Sequence, residues 1–246
     1  MDRTLTGHIG FQLEKEMKRF ASLAGLALLP FAASANMVVN GNFEAGNTGF
    51  TTSYLYIDYD LVTDPLYGTP PGTPANASGQ GMYDDGRYTI TNVQPKVWHD
   101  LWRNNVDLTG HGWYMLFNGS TAGNSNVWSQ NVTGLQAGQQ YELSFDIFTA
   151  FAMDNERADL DINVGGVNVG SVIAPSGSSQ WETLALTFTF NGSSDLVSIL
   201  NVETAFSGND FGIDNVAMNP VPEPTTLAVS VLGIAALLRR RRSLKG

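Results

Sequence analysis

The sequence predicts an all-β protein, an antiparallel β-sandwich of the jelly-roll kind, with a signal helix at its N-terminal end and a short transmembrane helix at its C-terminal end. Three observations predict the sandwich. Apolar and polar residues alternate in several short runs, the period of a strand with one wet face. Gly, Asn, Ser and Thr cluster between those runs and supply turns. Between the two ends no segment has a helical period, so there is no βαβ rhythm from which to build a parallel sheet.

Ten runs carry strand character: Tyr54 to Val62, Arg87 to Asn92, Trp113 to Phe117, Asn126 to Val132, Tyr141 to Thr149, Ala158 to Val164, Val167 to Val172, Trp181 to Phe190, Leu196 to Val202 and Phe211 to Met218. Tyr141, Leu143, Phe145 and Ile147 alternate with Glu142, Ser144 and Asp146, and Leu184, Leu186, Phe188 and Phe190 alternate with Thr183, Ala185, Thr187 and Thr189. Each set places its apolar members on one face. Gly165-Gly166 between two runs reads as a tight hairpin. Asp64 to Gly81, rich in Pro and Gly, reads as a loop or inserted arm.

Charge is segregated along the chain. Residues 36–221 hold four basic side chains against nineteen acidic ones, a net charge of −15. Such a body repels phosphate and excludes a nucleic-acid partner, while suiting cations. There are no cysteines, so burial, or a bound metal, must stabilise the domain without disulfides.

The ends have a different chemistry. Met17-Lys18-Arg19 opens a positive segment, Phe20 to Phe31 is mostly apolar, and Ala33-Ser34-Ala35 forms a small-x-small cleavage site for signal peptidase. Residues 17–35 therefore read as a signal peptide and Asn36 as the first mature residue. Residues 1–16 fit no signal peptide and read as an upstream extension, with Met1 or Met17 as the start. At the other end, Pro222-Glu223-Pro224 precedes an apolar run, Thr225 to Leu238, and then Arg239-Arg240-Arg241-Arg242. The run is about 14 residues, roughly 21 Å as a helix, and snorkelling arginines extend its reach. Four consecutive arginines place that end in the cytoplasm and the body across the membrane.

This tail, residues 221–246, resembles the PEP-CTERM sorting signal of Gram-negative bacteria. The resemblance implies an exosortase partner, a membrane-embedded protease that removes the tail. It also implies transient inner-membrane anchoring, followed by release to the cell surface or an exopolysaccharide or biofilm matrix.

Residues 36–220 form the predicted sandwich. Met37-Val38-Val39-Asn40-Gly41-Asn42-Phe43-Glu44 resembles the first strand of galactose-binding-like jelly rolls, including the family-four/nine carbohydrate-binding modules. Gly208-Asn209-Asp210-Phe211-Gly212-Ile213-Asp214-Asn215-Val216 resembles their last strand. Asp107-Leu108-Thr109-Gly110, Asn118-Gly119-Ser120 and Trp128-Ser129-Gln130 match a pattern of bacterial surface proteins with this sandwich, except that Leu108 stands where His is usual. The resemblance implies a structural calcium between the first and last strands, held by Glu44, Asp214 and the Asn42 carbonyl, with Asp84 or Asp85 to complete the shell.

Sugar binding requires exposed aromatic faces. Tyr83, Tyr88, Trp98, Trp102 and Trp113 fall in one stretch with Asp100 and Arg103, which can bond hydroxyls, so this stretch is the candidate glycan site. Trp128 and Trp181 read as core. HExxH, GxSxG and a cysteine nucleophile are all missing from the sequence. The same-face pairs Asp58/Asp60 and Asp159/Asp161 read as wet faces of strands. The expectation is a non-catalytic surface protein that binds extracellular polysaccharide. The alternatives are an adhesive or structural protein without a glycan site and, behind it, a secreted hydrolase.

Overall fold

The computed structural model describes residues 36–58, 81–151, 156–176 and 180–222, all within the compact unit that runs from Asn36. The expected signal peptide with Ala33 and Ala35, the proline-rich arm, and the tail from Glu223 through Arg239–Arg242 lie outside the described residues. Among the described residues no helix is long and apolar enough to cross a membrane.

Ten strands form: β1 (Leu55–Tyr56), β2 (Arg87–Thr91), β3 (Tyr114–Asn118), β4 (Ser125–Asn131), β5 (Gln140–Phe151), β6 (Asp159–Val164), β7 (Val167–Ile173), β8 (Glu182–Thr189), β9 (Leu196–Asn201) and β10 (Asp210–Pro220). They make a six-stranded sheet in the order β1-β2-β3-β10-β5-β8 and a four-stranded sheet in the order β4-β9-β6-β7. The two pack as a β-sandwich. Met115, Phe117, Phe145, Ile147, Phe211 and Ile213 from the larger sheet meet Trp128, Leu160, Ile162, Val197 and Ile199 from the smaller one in a single buried core. The period-two faces read from β5 and β8 supply that core as the pattern requires.

The turn chemistry also follows from composition. Gly165 and Gly166 have φ of +59° and +80°, and Val164 pairs with Val167 across them. Two consecutive positive φ values are what a type I′ hairpin needs, and Gly-Gly adopts them without a Cβ penalty.

The structure departs from the expected pattern in three places. β1 is only two residues long within the described range and pairs parallel to β2, whereas all other strand pairs are antiparallel. Residues Met37 to Glu44 do not form a regular strand. Asn40 and Phe43 have φ of +54° and +53°, which breaks the extended run. The segment still lies along β10: Met37 N–H donates to the Met218 carbonyl at 2.9 Å, and Val216 N–H donates to the Gly41 carbonyl at 2.8 Å. A Cβ on Gly41 would sit 2.0 Å from the Val216 carbonyl oxygen, so only glycine allows this approach.

The third departure positions the site. The segment between β2 and β3, residues 92–113, packs across the outer face of the six-stranded sheet. Trp98, Trp102 and Val106 join Tyr114 and Leu116 of β3 and Phe148 and Ala150 of β5 in a second buried cluster. β3 is therefore buried on both faces, which explains its unbroken Tyr-Met-Leu-Phe run.

Candidate functional site

The segment over the outer face begins with a 3-10 turn, Pro95–Val97, closed by Trp98. Trp98 and Trp102 are buried, at 6% and 2% exposure. Their indole N–H groups are both used internally: Trp98 donates to Thr91 Oγ1 at 3.0 Å and Trp102 to Asp210 Oδ2 at 2.9 Å. These rings were expected to offer faces to a sugar. The structure instead spends them as pegs that hold the segment to the sheet. Arg103 is committed to the same task, its backbone N–H donating to the Ala150 carbonyl and its Nε to the Thr149 carbonyl. Asp100 lies partly exposed beside them, its backbone carbonyl taking the Lys96 ammonium.

Tyr88 is also core. Its ring packs against Phe117 and its hydroxyl donates to Asn47 Oδ1 at 2.8 Å. Trp113 is half-buried against the main core. Of the expected aromatic set, Tyr83 alone joins a solvent-facing cavity.

That cavity lies where β3 and β5 end and β10 begins. Tyr83, Asp85, His99, Leu101, Asn118, Phe151, Phe206, Ser207 and Asp210 line it. Its wall is a stack of three rings: Tyr83 on His99, with centroids 4.8 Å apart, and His99 on Trp102, 5.1 Å apart. Its rim carries Phe206 and Leu101, which are 82% and 60% exposed. Burial holds the His99 pKa below its ordinary value. Its Nδ1 accepts the Leu101 N–H at 3.2 Å, which leaves the neutral ring's proton on Nε2.

Two carboxylates of the cleft lining feel each other's charge. Asp210 is buried and accepts from Gly119 N–H and Trp102 Nε1–H, both at 2.9 Å. Burial nevertheless pushes its pKa up to about 7, with Asp85 adding to the rise. Burial likewise raises Asp85 to about 6, with Asp84 contributing. Asp84 is itself paired with Arg87. Sequence reasoning missed His99, Phe206 and Asp210 as site residues. A phenylalanine in the polar stretch Ala205-Phe206-Ser207-Gly208 was the one legible sign, because such a position offers little to bury it.

Of the expected calcium residues, Asp84 and Asp85 belong to this cleft and its neighbourhood, whereas Glu44 and Asp214 lie at a different place. Asp214 is buried, and its pKa is pushed up to about 7 by burial and then by Asp146 and Glu44. Glu44 and Asp214 thus come within electrostatic range, as a clamp between the first segment and the last strand requires. Glu44 Oε1 accepts the Trp113 N–H at 3.0 Å, and Asp214 Oδ2 lies 3.1 Å from His111 Nδ1. His111 also stacks on Trp181 at 4.1 Å. Hard carboxylate oxygens with little positive compensation suit calcium in kind. They do not suit it in number. Among the described residues no group of three or more His, Asp or Glu side chains is close enough to hold a metal ion.

The fold and its charge define an acidic β-sandwich protein with one aromatic-walled cleft among its described features. Residues 220–242 match the PEP-CTERM protein-sorting motif, which marks the protein as exported to the surface with a C-terminal membrane anchor before processing. The chain is also similar to halomucin of Haloquadratum walsbyi, at 23% identity over 207 residues, which cover 82% of this chain and 2% of halomucin's length. Similar solved structures include a family 16 carbohydrate-binding module (14% identity, 74% of this chain and 99% of that chain, TM-score 0.40). A family 4 carbohydrate-binding module is similar at 13% identity, 75% and 99% coverage and a TM-score of 0.38. A cyclase from Fischerella sp. TAU is similar at 14% identity, 75% and 96% coverage and a TM-score of 0.44.

Proposed function

We propose that the protein is an exosortase-processed surface or matrix protein whose jelly-roll body binds extracellular polysaccharide and carries out no catalysis. The sorting motif supports processing. The cleft supports binding, because exposed Phe206 and half-exposed Tyr83 offer ring faces beside a polar carboxylate. Against a hydrolase stands the burial of Asp210, which is 8% exposed and has both carboxylate oxygens occupied by N–H donors of the protein itself. Affinity electrophoresis in gels containing exopolysaccharide tests the binding. The exported protein is expected to be retarded. Free migration in every polysaccharide would leave the adhesive or structural reading, which the burial of Trp98 and Trp102 favours.

Processing has its own readout. In a host with an exosortase, signal peptidase is expected to leave Asn36 at the N-terminus, and the tail with Arg239–Arg242 is expected to be lost. During anchoring the body lies in the periplasm and the arginines in the cytoplasm. Intact-mass measurement of the exported protein decides it, and a mature mass that retains the four arginines rejects it.

Calcium at the junction of Glu44 and Asp214 completes the reading. A ligand that binds only the folded state raises stability with the logarithm of its concentration. Chelator is therefore expected to lower the Tm, by about 3 kcal/mol of stability if calcium is present at 100 times its Kd. Asp214→Ala is expected to abolish that sensitivity. A melting curve indifferent to chelator removes the ion from the account.

A further inference from the structure

From the charge and shape of the cleft at the ends of β3 and β5, we propose that it binds a sugar ring bearing a protonated amine, a hexosamine unit with a free amino group. This deepens the polysaccharide reading and rests on it.

The cleft is shallow and about half open to solvent, so a ring would lie against its lining and not inside an enclosed cavity. Its apolar surface is concentrated at Phe206 and Leu101 on the rim and at the Tyr83 ring, which backs onto His99. A pyranose has an apolar C–H face that such rings cover. The polar side of the cleft is acidic. Among the described residues the Asp85 carboxylate accepts no hydrogen bond, and its half-burial keeps water from fully solvating it. Asp210 of the same lining adds like charge, and its oxygens are already engaged by Gly119 and Trp102.

Among the described residues no ion pair joins a base to Asp85. Arg87 is bound to Asp84 and to the Gly81 carbonyl. His99 is held neutral by burial and has only its Nε2–H to donate. Lys96 reaches the Asp100 carbonyl instead. A half-buried carboxylate that feels a second carboxylate favours a cation over a neutral ligand and repels an acidic one. An ammonium group supplies both the missing charge and three donors. The body's net charge of −15 draws the same kind of polymer from a distance.

The test uses the full exported protein and three β-1,4-linked oligosaccharides of equal length, measured by calorimetry at neutral pH in 0.15 M salt. They are oligomers of glucosamine, of N-acetylglucosamine and of glucose. The glucosamine oligomer is expected to bind at least tenfold more tightly than the other two. Asp85→Asn is expected to remove that preference, and Phe206→Ala to weaken the binding of all three. Both side chains are partly or fully exposed, and melting curves confirm that the variants fold; Asp85→Asn is expected to leave the Tm unchanged or raised, since it relieves a repulsion.

If the three oligomers bind alike, or Asp85→Asn leaves the preference intact, the amine inference fails while the polysaccharide reading stands. If oligolysine of equal charge displaces the glucosamine oligomer at equal concentration, the cleft reads charge and not sugar, and the inference fails. If neither the oligomers nor any polysaccharide binds, both readings fail together.

Discussion

Trp102→Ala is expected to destabilise the folded protein by about 3–5 kcal/mol, the cost of truncating a fully buried large aromatic. The ring sits in the second cluster with Tyr114, Leu116 and Phe148, so its removal opens a void between the covering segment and the sheet. It also takes away one of the two donors that hold Asp210, and a buried acceptor without its donor adds to the loss. Trp102→Phe separates the two contributions. It keeps most of the ring and loses the indole N–H, for an expected loss of about 1–3 kcal/mol. Denaturant melts with an unchanged m-value measure both. If Trp102→Ala melts like the wild type, the segment over the outer face is not part of the cooperative unit.

Stability is expected to fall as pH rises from about 4.5 to 7.5. Asp210 has a folded pKa of about 7 against an ordinary 3.8, and Asp85 one of about 6, in both cases chiefly because burial penalises the charge. Between the unfolded and folded values the native state binds more protons than the unfolded chain, so the slope of unfolding free energy with pH is negative. The contribution is complete below about 4, is lost as pH passes through 6 to 7, and is flat beyond. For the fully buried Asp210 the shift corresponds to a few kcal/mol. His99 works in the opposite direction: held neutral by burial, it loses stability as pH falls through its unfolded value near 6.5, and so reduces the slope without reversing it. Thermal melts across this range measure the slope. Asp210→Asn is expected to make it shallower, leaving the part set by Asp214 and Asp85, at the cost of one hydrogen bond, because the amide offers only one acceptor to two donors. A wild-type Tm that climbs steadily from pH 4.5 to 7.5 would mean that Asp210 is ionised in the native state throughout.

Reading Tyr88, Trp98 and Trp102 as ring faces for a ligand failed for a physical reason. Tyr83, Tyr88, Trp98, Trp102 and Trp113 are close in sequence, and density of aromatics looks the same whether they face water or a sheet. The discriminating sign was on the partner strand. β3 runs Tyr114-Met115-Leu116-Phe117 without alternation, and a strand apolar on both faces requires cover on both. Residues 92–113 are that cover, and the tryptophans are its anchors. The meeting of the first segment with the last strand was legible. Met37 to Glu44 and Gly208 to Val216 were matched as the two ends of one sandwich, and the chain does bring them together through Gly41 and Val216.

The sequence by itself determined the β architecture, because period-two alternation and Gly-Gly turns are local properties that specify strands and hairpins wherever they fall. It also determined the sorting tail, because a Pro-Glu-Pro motif, an apolar run and an arginine cluster act by their order along the chain. Tertiary structure alone decided which aromatics are buried and which are offered. It alone joined Tyr83, Asp85, His99, Phe206 and Asp210, which come from two segments far apart in the sequence, into one cleft. Burial and the meeting of like charges depend on contacts between distant segments, and no local pattern encodes them.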